Sequence, residues 1–529
     1  MHSKSVVFIA FEQRENLGIR YLYVILSEAG YDVHIIDFRK DKSEILQEVQ
    51  QLDPLVVGFS VIFEYHIYKF QELMDYLRAG GIQSHFTAGG HFASLRPGEL
   101  FKLFPSLDSI VRFEGEHTIL ELVNCLQQQK EWTGIQGLSF LKNGALVNTP
   151  LRALEPDLDT FPFPFRSGLR EFALGKKYAT LIAGRGCVYN CAFCDIRAFY
   201  SEPPGPVKRI RKPARVVKEM EYLYREHDCS VFLFQDDDFP VVDRRNPQWI
   251  NIFCRSLEEK ELVGKIMWKI NCRPDEVDPE LFGLMKQHGL FKVYLGIENG
   301  TDEGLSQMNK GLTVADTIRG VEILKELGIA MDYGFMLFQP DSSHKSIADN
   351  LAFLERVCRR ATIPAIFVKM MPYLETRVEK DLRLAGRLKG RSGFLDYDFL
   401  EESLNGLYAF LSECFNPWFH GSDGTTNLAK WGGNYLAVYG FFFGVPEGIQ
   451  ILSEELKTVV LEANRFILAT TRQLSLLFEN GSCSRENNPE LDAIRLEIED
   501  RHSTACKDIR DIISKVELYA QTRDLIQWE

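Results

Sequence analysis

The chain has 529 residues, of which 45% are hydrophobic and 26% charged, and its formal net charge is −13. This length predicts about two to four globular domains. The acidic balance argues against a nucleic-acid partner, because phosphate binding needs concentrated Lys and Arg. No uncharged apolar stretch reaches the roughly eighteen residues of a membrane span, and the N-terminus lacks the pattern of a signal peptide. Eleven cysteines without a small-domain disulfide framework indicate a reducing compartment, so we expect a cytoplasmic protein.

Short apolar runs alternate with helical patterns through the first 130 residues. The predicted strands are Val6–Phe11, Asp32–Phe38, Leu55–Phe63, Ser84–Ala88 and Ser109–Phe113. Strands separated by helix-length segments imply right-handed crossovers and a parallel sheet covered on both faces. We therefore expect residues 1–130 to form a doubly wound α/β domain, flavodoxin-like or Rossmann-like, which binds its ligand beyond the carboxyl ends of the strands.

Small and polar residues follow those strand ends. They are Gly58-Phe59-Ser60, Gly89-Gly90-His91 and Glu114-Gly115-Glu116. Glycines at these positions let a bulky ligand approach the backbone, although tight turns between strands and helices also use them. No G-x-G-x-x-G follows the first strand, so a nicotinamide cofactor is not expected.

A connector at 131–175 contains a hairpin pattern around Asn143-Gly144 and the proline-rich run 161–165. Proline at alternate positions blocks a helix and favours extended chain. After it, strand and helix patterns alternate again over 176–390. The predicted strands are Tyr178–Ala183, Val231–Phe234, Ile266–Ile270, Val293–Ile297, Met331–Phe338 and Ile366–Met371. They predict a partial (β/α)6 barrel whose chemistry lies at the carboxyl ends of its strands.

Three cysteines lie within eight residues after the first barrel strand. Cys187, Cys191 and Cys194 are spaced C-x3-C-x2-C, and three thiolates from one loop can hold three corners of a cubane iron–sulfur cluster. The fourth iron would then have an open coordination site for a small molecule. A structural zinc site needs four Cys or His ligands, and the nearest histidine, His227, is over thirty residues away. A disulfide with a spare cysteine is the other alternative.

The spacing with Phe193 before the last cysteine is similar to the signature of radical S-adenosylmethionine (SAM) enzymes. The resemblance implies a [4Fe-4S] cluster and SAM. Carboxylates of Asp236 and Asp237 suit the SAM amino group, and Arg273 suits its carboxylate by bidentate pairing. Glu298 suits the ribose hydroxyls. A barrel-rim ion pair is the alternative role for Arg273 and Glu298.

Three further motifs match this family. They are Asp237-Asp238-Phe239, Arg273-Pro274-Asp275 and Gly296-Ile297-Glu298. The triple Asp leaves the register of the first motif ambiguous by one residue. Met308-Asn309-Lys310-Gly311 matches another family pattern, and a helix-capping role for Lys310 stays open.

The N-terminal domain resembles the cobalamin-binding domain that precedes many radical SAM enzymes. The resemblance implies that Ser60, Gly89, Gly90 and Glu116 contact cobalamin. No Asp-x-His-x-x-Gly follows the first strand, which implies a cobalt without histidine ligation; we interpret His91 as an ordinary loop histidine.

The two domains together resemble cobalamin-dependent radical SAM methyltransferases of the class B type. In that family a 5′-deoxyadenosyl radical abstracts hydrogen from an unreactive carbon, and methylcobalamin delivers a methyl group. The resemblance implies a small-molecule substrate of natural-product type and an electron donor such as flavodoxin or ferredoxin. Asp237, Arg273 and Glu298 are the candidate catalytic residues.

Three alternatives stay open. A cobalamin-dependent radical SAM cyclase or ring-rearranging enzyme would use the same cofactors without net methyl transfer. A tRNA-modifying methylthiotransferase fits less well, because the chain is acidic and Cys125 is the only cysteine in residues 1–130. A non-catalytic iron–sulfur or corrinoid carrier would not need Asp237, Arg273 and Glu298.

Two further stretches are ambiguous. The basic run 208–212 predicts either a solvated loop or a contact to an anionic small molecule. Residues 391–529 are predicted to be mostly helical, as at Ile449–Leu477 and Leu491–Leu518. The run 415–426 mixes aromatic, glycine and polar residues, which predicts either a lid over an apolar substrate or packing between helices.

Overall fold

The computed structural model of the protein describes residues 4–13, 15–62, 64–241, 248–360, 364–481 and 488–523. Its strands are β1 (Ser5–Ala10), β2 (Asp32–Asp37), β3 (Val56–Ser60), β4 (His85–Gly89), β5 (Ser109–Val111), β6 (Leu138–Lys142), β7 (Ala145–Asn148), β8 (Glu171–Ala173), β9 (Lys176–Leu181), β10 (Gly184–Arg185), β11 (Arg209–Ile210), β12 (Cys229–Phe234), β13 (Met267–Cys272), β14 (Leu290–Glu298), β15 (Ala330–Phe338), β16 (Val368–Lys369), β17 (Leu388–Arg391) and β18 (Phe394–Tyr397).

The α-helices are α1 (Leu17–Glu28), α2 (Lys42–Leu52), α3 (Ile67–Ala79), α4 (His91–Leu95), α5 (Pro97–Leu103), α6 (Glu116–Gln127), α7 (Ile196–Ser201), α8 (Pro213–His227), α9 (Trp249–Glu259), α10 (Pro279–Gln287), α11 (Asp302–Gln307), α12 (Val314–Glu326), α13 (His344–Arg360), α14 (Arg377–Leu384), α15 (Ser403–His420), α16 (Thr425–Phe443), α17 (Glu447–Glu479) and α18 (Pro489–Gln521).

The chain divides into two compact units that each combine several segments. The first unit contains Met1–Gly168, Gly184–Arg211 and Pro372–Asp396. The second contains Leu169–Ala183, Lys212–Met371 and Tyr397–Glu529. The cysteine loop therefore belongs to the same unit as the N-terminal domain. The domain limits predicted at 130, 175 and 390 stay predictions.

The sheet of the first unit has the strand order β2-β1-β3-β4-β5-β6-β7. Strands β1 to β5 pair in parallel, which confirms the predicted doubly wound α/β fold with the 2-1-3-4-5 order of flavodoxin-like domains. The antiparallel hairpin β6–β7 extends this sheet from β5. Strand β1 is buried throughout, with Val7 and Ile9 in one hydrophobic cluster and Val6 and Phe8 in another, because helices cover both faces.

The sheet of the second unit has the order β16-β15-β14-β13-β12-β9-β8. Strands β9 and β12 to β16 pair in parallel, which confirms the predicted half-barrel, and β8 adds an antiparallel edge. Parallel pairing brings the carboxyl ends of these strands to one edge of the sheet. The polar segments after β12, β13 and β14 lie there.

Helices α15 to α18 confirm the predicted helical C-terminal region. In the aromatic run 415–426, α15 continues through Pro417 to His420. Phe415, Trp418 and Phe419 are buried, so these aromatic rings pack between helices and do not form an exposed lid. Among the described residues, no helix has both the length and the apolar character needed to cross a membrane.

Candidate cofactor site

The cysteine loop lies between β10 and α7, and its base is closed by the antiparallel pair β10–β11. Gly186 has φ of 80°, and a Cβ placed there would lie 1.9 Å from the Val207 carbonyl oxygen. Only glycine therefore fits directly before Cys187. Within the loop the Cys194 amide donates to the Cys191 carbonyl at 3.2 Å, so the spacing between these two cysteines is set by a turn.

The three motif cysteines differ from most other cysteines in exposure. Cys187, Cys191 and Cys194 are half-buried, whereas Cys254 and Cys272 are buried. Burial, assisted by Glu258, raises the pKa of the Cys254 thiol to about 12, and burial raises the pKa of Cys272 well above its usual value. Because the thiolate is the metal-binding form, the half-buried motif cysteines fit cluster ligation and these two buried ones do not.

A single metal ion is a poorer fit. Across the described ranges, no group of three or more His, Cys, Asp or Glu side chains converges as the ligands of one ion do. A four-iron cluster binds each thiolate at a different iron, so its ligands need not meet at one point. The donor set and the loop therefore fit a cluster held at three corners, with Phe193 half-buried between the second and third cysteines.

An ionic network connects the cysteine loop to the N-terminal sheet within the first unit. Arg185 donates to Glu114 at 3.0 Å and to Glu116 at 2.6 Å. Arg209, on the paired strand β11, donates through both terminal nitrogens to Glu114, each at 2.8 Å. Glu114 and Glu116 follow the carboxyl end of β5. The base of the cysteine loop is thus fixed to the edge where a doubly wound domain binds its ligand.

Burial and neighbouring charges have opposite effects on the pKa of Glu114 in this network. Burial alone would raise the pKa of Glu114, but the charges of Arg185 and Arg209 outweigh it and hold that pKa below its usual value. The solvated-loop interpretation of 208–212 is wrong, because Lys208, Arg209 and Arg211 are buried. Arg209 pairs with Glu114, and the Arg211 guanidinium lies 3.8 Å from a carboxylate oxygen of Asp159.

His91 forms a second contact between the N-terminal domain and the cysteine loop. Its ring stacks on Phe199 of α7 with centroids 4.2 Å apart. Its Nδ1 lies 3.3 Å from a carboxylate oxygen of Asp195, the residue after Cys194. The side chain that follows the glycine pair of β4 therefore packs directly against the segment that carries the third cysteine.

The predicted cobalamin contacts lie along the carboxyl edge of the first sheet. Ser60 ends β3, and its hydroxyl accepts a hydrogen bond of 3.1 Å from the Asn16 side chain at the start of α1. Gly89 ends β4, and Gly90 has φ of 110° with a virtual Cβ only 2.6 Å from the Val61 carbonyl oxygen. Contacts of these residues bring the loops after β1, β3 and β4 together. The three loops form one continuous edge, which suits a broad ligand. Glu116 is buried and bound to Arg185.

The predicted SAM residues Asp236 and Asp237 follow β12 in the second unit. Both Asp236 oxygens accept from the Ala183 amide at 3.0 Å, and its carbonyl accepts from the Asn271 side chain. Asp236 and Asp238 are buried, whereas Asp237 is exposed. The alternation favours Asp237 as the carboxylate that reaches a ligand and Asp236 as a structural link between strand ends.

Arg273 and Glu298 both bind an oppositely charged neighbour at the same edge. Arg273 is buried, and its guanidinium pairs with both oxygens of Asp275 at 2.9 and 3.2 Å. Glu298 has the left-handed φ of 67°, and its carboxylate accepts from Lys310 at 3.2 Å. Lys310 is therefore an ion-pair partner of Glu298. Both residues form ion pairs at the rim, and their contacts to SAM stay a prediction.

Sequence analysis missed the charged residues that join the two parts of the first unit. Glu114 pairs with Arg185 and Arg209, which lie 71 and 95 positions later in the sequence. Their only sequence signal was a pair of acidic residues after the fifth strand and an arginine beside the cysteine motif. It also missed Glu64, whose pKa burial raises to about 7, with a smaller contribution from Asp195.

A half-barrel preceded by a doubly wound domain, with a three-cysteine loop after the first barrel strand, defines a radical SAM enzyme with an N-terminal corrinoid-type domain. Residues 8–123 match the family described as B12 binding domain, and residues 181–354 match the Radical SAM superfamily. The chain therefore combines a B12-binding domain with a radical SAM domain.

The chain is similar to two proteins in sequence and to one solved structure in fold. The chain is 28% identical over 349 residues to an uncharacterized methyltransferase of Pyrococcus horikoshii, covering 64% of this chain and 73% of that protein. It is 29% identical to the anaerobic magnesium-protoporphyrin IX monomethyl ester cyclase of Rubrivivax gelatinosus, covering 60% of this chain but only 58% of the cyclase. The solved structure of the cobalamin-dependent SAM radical enzyme OxsB superposes with a TM-score of 0.67 at 17% identity, covering 99% of this chain and 82% of OxsB, which shows a shared fold.

Proposed function

We propose that the protein is a cobalamin-dependent radical SAM methyltransferase that methylates an unreactive carbon of a small, natural-product-type molecule. The observation that carries the proposal is the attachment of the cysteine loop to the carboxyl edge of the B12-type sheet through Arg185, Glu114 and Glu116. When bound, the cluster, SAM and cobalamin would supply one-electron cleavage of SAM and a methyl group on cobalt. Similarity to the Pyrococcus methyltransferase supports this choice.

The residues have separate roles in this proposal. Cys187, Cys191 and Cys194 hold three irons and leave the fourth open. Asp237 binds the SAM amino group, and Arg273 and Glu298 orient its carboxylate and ribose. On the first sheet, Ser60, Gly89 and Gly90 receive the corrin and its tail. Each assignment places a charge or a hydrogen-bond partner where the ligand group needs one.

We propose a role for Glu116 that differs from the one implied by the cobalamin resemblance. Its carboxylate is buried and bound to Arg185 at 2.6 Å. We assign it the role of fixing the cysteine loop relative to the corrin-binding edge, which positions the two cofactors without contact to either. The reducing equivalents come from an external one-electron donor such as flavodoxin or ferredoxin.

The decisive test supplies the anaerobic, cluster-loaded protein with SAM, unmethylated cobalamin, dithionite and extracts of small molecules, so that SAM is the only source of the methyl group. The expected result is 5′-deoxyadenosine and S-adenosylhomocysteine formed together, with a product heavier by one methylene group. A comparison of metabolites from cells with and without the gene identifies the substrate by the same mass difference. If the chain bound no cobalamin, the proposal would be wrong.

The second candidate is a cobalamin-dependent radical SAM cyclase or ring-rearranging enzyme. It is favoured by the 29% identity to the Rubrivivax cyclase, which is close to that of the methyltransferase relative. Such an enzyme forms 5′-deoxyadenosine without S-adenosylhomocysteine. The ratio of the two products therefore distinguishes the candidates in one assay.

A further inference from the structure

A basic surface borders the cysteine loop in the first unit. It consists of α14 and the strand β17, residues 377–391. The Val378 amide in the first turn of α14 donates to the Ala192 carbonyl at 3.0 Å, and Ala192 lies between the second and third motif cysteines. The helix thus contacts the part of the chain that would hold the cluster.

The inner side of α14 is anchored, so its outer side has a fixed orientation. Thr376 caps the helix by accepting from the Glu379 amide at 3.1 Å. The Glu379 side chain is fully buried, and Arg96 binds its two carboxylate oxygens at 3.3 Å each. Arg96 also pairs with Glu375 at 3.0 Å. A surface held in this way can present charges in a defined pattern.

The outer side is basic although the whole chain carries −13. Residues 377–391 contain six basic and two acidic side chains, and one of the acids is the buried Glu379. The side chains of Arg377, Arg383 and Lys380 are 67%, 58% and 54% exposed. Each of these residues has one acidic neighbour in the fold, but the net sign of the surface is positive because basic residues outnumber exposed acids.

Two apolar side chains are exposed, one in the cysteine loop and one on α14. Val188, the residue directly after Cys187, is 55% exposed, and Leu384 at the end of α14 is 87% exposed. Transient redox complexes bury small areas, and they rely on charge for steering and on a few apolar contacts for the bound state. The surface of α14 and β17 has both features, because its lysine and arginine side chains accompany exposed apolar residues.

We propose that α14 and β17 form the docking surface for an acidic one-electron carrier protein, which reduces the cluster held by the adjacent cysteine loop. The inference rests on the proposed function, because it requires a redox centre at the three cysteines. One electron leaves the reduced carrier and enters the cluster, and no covalent bond forms or breaks. The overall charge of −13 would repel an acidic partner elsewhere, so the local basic surface also selects where the carrier binds.

The test compares binding of a flavodoxin to the unmodified protein and to Arg377→Glu/Lys380→Glu. Both positions lie in the first turn of α14, where acidic residues are favoured by the helix dipole, so the helix is expected to persist. The matched control, Lys102→Glu/Lys130→Glu, makes the same change in charge at two exposed lysines of the same unit. Fluorescence titration measures the affinity without requiring SAM cleavage.

The expected result is a loss of affinity of about 10-fold or more at low salt for the α14 variant, and little change for the control. The difference should shrink as salt rises. The charge-preserving Arg377→Lys/Lys380→Arg variant should bind as the unmodified protein does. Equal losses in the α14 variant and the control, or no loss in either, would overturn the proposal.

A second arm separates this proposal from the proposed function. Dithionite is small and needs no docking surface, so the α14 variant should form 5′-deoxyadenosine from SAM at the unmodified rate with dithionite and more slowly with reduced flavodoxin. A loss with both reductants would show that α14 supports the cluster and does not bind the carrier.

Self-association that the α14 variant abolishes would assign the surface to a second copy of the chain. Failure of the unmodified protein to cleave SAM would contradict the function, while the binding titration would still decide the surface.

Discussion

The guanidinium of Arg185 donates a 2.6 Å hydrogen bond to the carboxylate of Glu116, and this bond joins the cysteine loop to the first residue of α6. Arg185 lies two positions before Cys187. Glu116 begins the helix that follows the last parallel strand of the first sheet. Two segments with separate predicted cofactors are thereby fixed to each other within one compact unit, so we expect their loss of structure to be coupled.

Removing the charge of Glu114 tests this coupling. Glu114 binds both Arg185 and Arg209, and its side chain is only 11% exposed. Glu114→Gln should lower the free energy of unfolding by about 3–5 kcal/mol, because it leaves two buried guanidinium groups without their shared charge. Glu121→Gln breaks the exposed pair with Arg152 and should cost about 1 kcal/mol or less. Denaturant unfolding of the cofactor-free chains compares them; similar values for both would contradict the prediction.

The cluster assignment predicts a specific dependence on three cysteines. Alanine at Cys187, Cys191 or Cys194 should reduce the iron content from about four per chain to a small remainder and remove the visible absorbance of the cluster. Cys254→Ala is the control, since its thiol is buried in α9 with a raised pKa. Iron and sulfide analysis after anaerobic reconstitution measures the effect. Retention of full iron by all three variants would exclude the cluster from this loop.

Gly90→Ala tests the close approach of the loop after β4. Gly90 has φ of 110°, and its virtual Cβ lies 2.6 Å from the Val61 carbonyl oxygen. We expect a loss of cobalamin binding and a larger loss of stability than at Gly81, which has φ of 87° but no heavy atom within 4 Å of its virtual Cβ. Gly81→Ala should cost about 1–2 kcal/mol from backbone strain alone. Cobalamin absorbance after gel filtration reports binding, and equal effects at both glycines would contradict the steric argument.

Glu298→Gln tests the proposed ribose contact. The substitution keeps the shape of the side chain and removes the charge that pairs with Lys310 at 3.2 Å. Loss of a charged hydrogen-bond acceptor should weaken SAM binding by about 10-fold. Glu303→Gln, at an exposed position of α11, should bind SAM normally. Equilibrium dialysis with labelled SAM measures both affinities, and an unchanged Kd for Glu298→Gln would remove this residue from the site.

The strands of the first sheet were predictable because helices bury this sheet on two faces. A strand such as β1 then consists almost entirely of apolar residues, and the spacing between such runs indicates parallel crossovers. The cysteine motif was predictable for a similar reason, since its ligands come from one short loop. Both signals are local in sequence.

The charged pairs were not predictable, because their partners are distant in sequence. The run 208–212 looks solvated when Arg209 is considered without Glu114, which lies 95 residues earlier. Pro417 removes one helical hydrogen bond within the run 415–426, yet α15 continues through it. In each case tertiary contacts outweighed the local preference.

The stability of the first unit should depend on pH through Glu64. This residue lies in the short turn Glu64–His66 after β3. Burial raises its pKa from the ordinary 4.5 to about 7, the Asp195 carboxylate adds to the rise, and a hydrogen bond from the Leu374 backbone opposes it. The folded chain therefore holds a proton that the unfolded chain has already lost between pH 4.5 and 7.

The sign of the effect follows from this proton difference. The free energy of unfolding should fall as pH rises from about 4.5 to about 7, and Glu64 should add no further change above that range. Glu64→Gln removes the ionisable group at this position. The free energy of unfolding of the variant, relative to that of the unmodified chain, should therefore rise by about 1–2 kcal/mol from pH 5 to pH 8, allowing for partial solvent screening. Thermal unfolding of both chains, in steps of about one pH unit from pH 5 to pH 8, measures the difference in stability between them. Parallel curves for the two proteins would show that Glu64 titrates at the same pH in the folded and unfolded states.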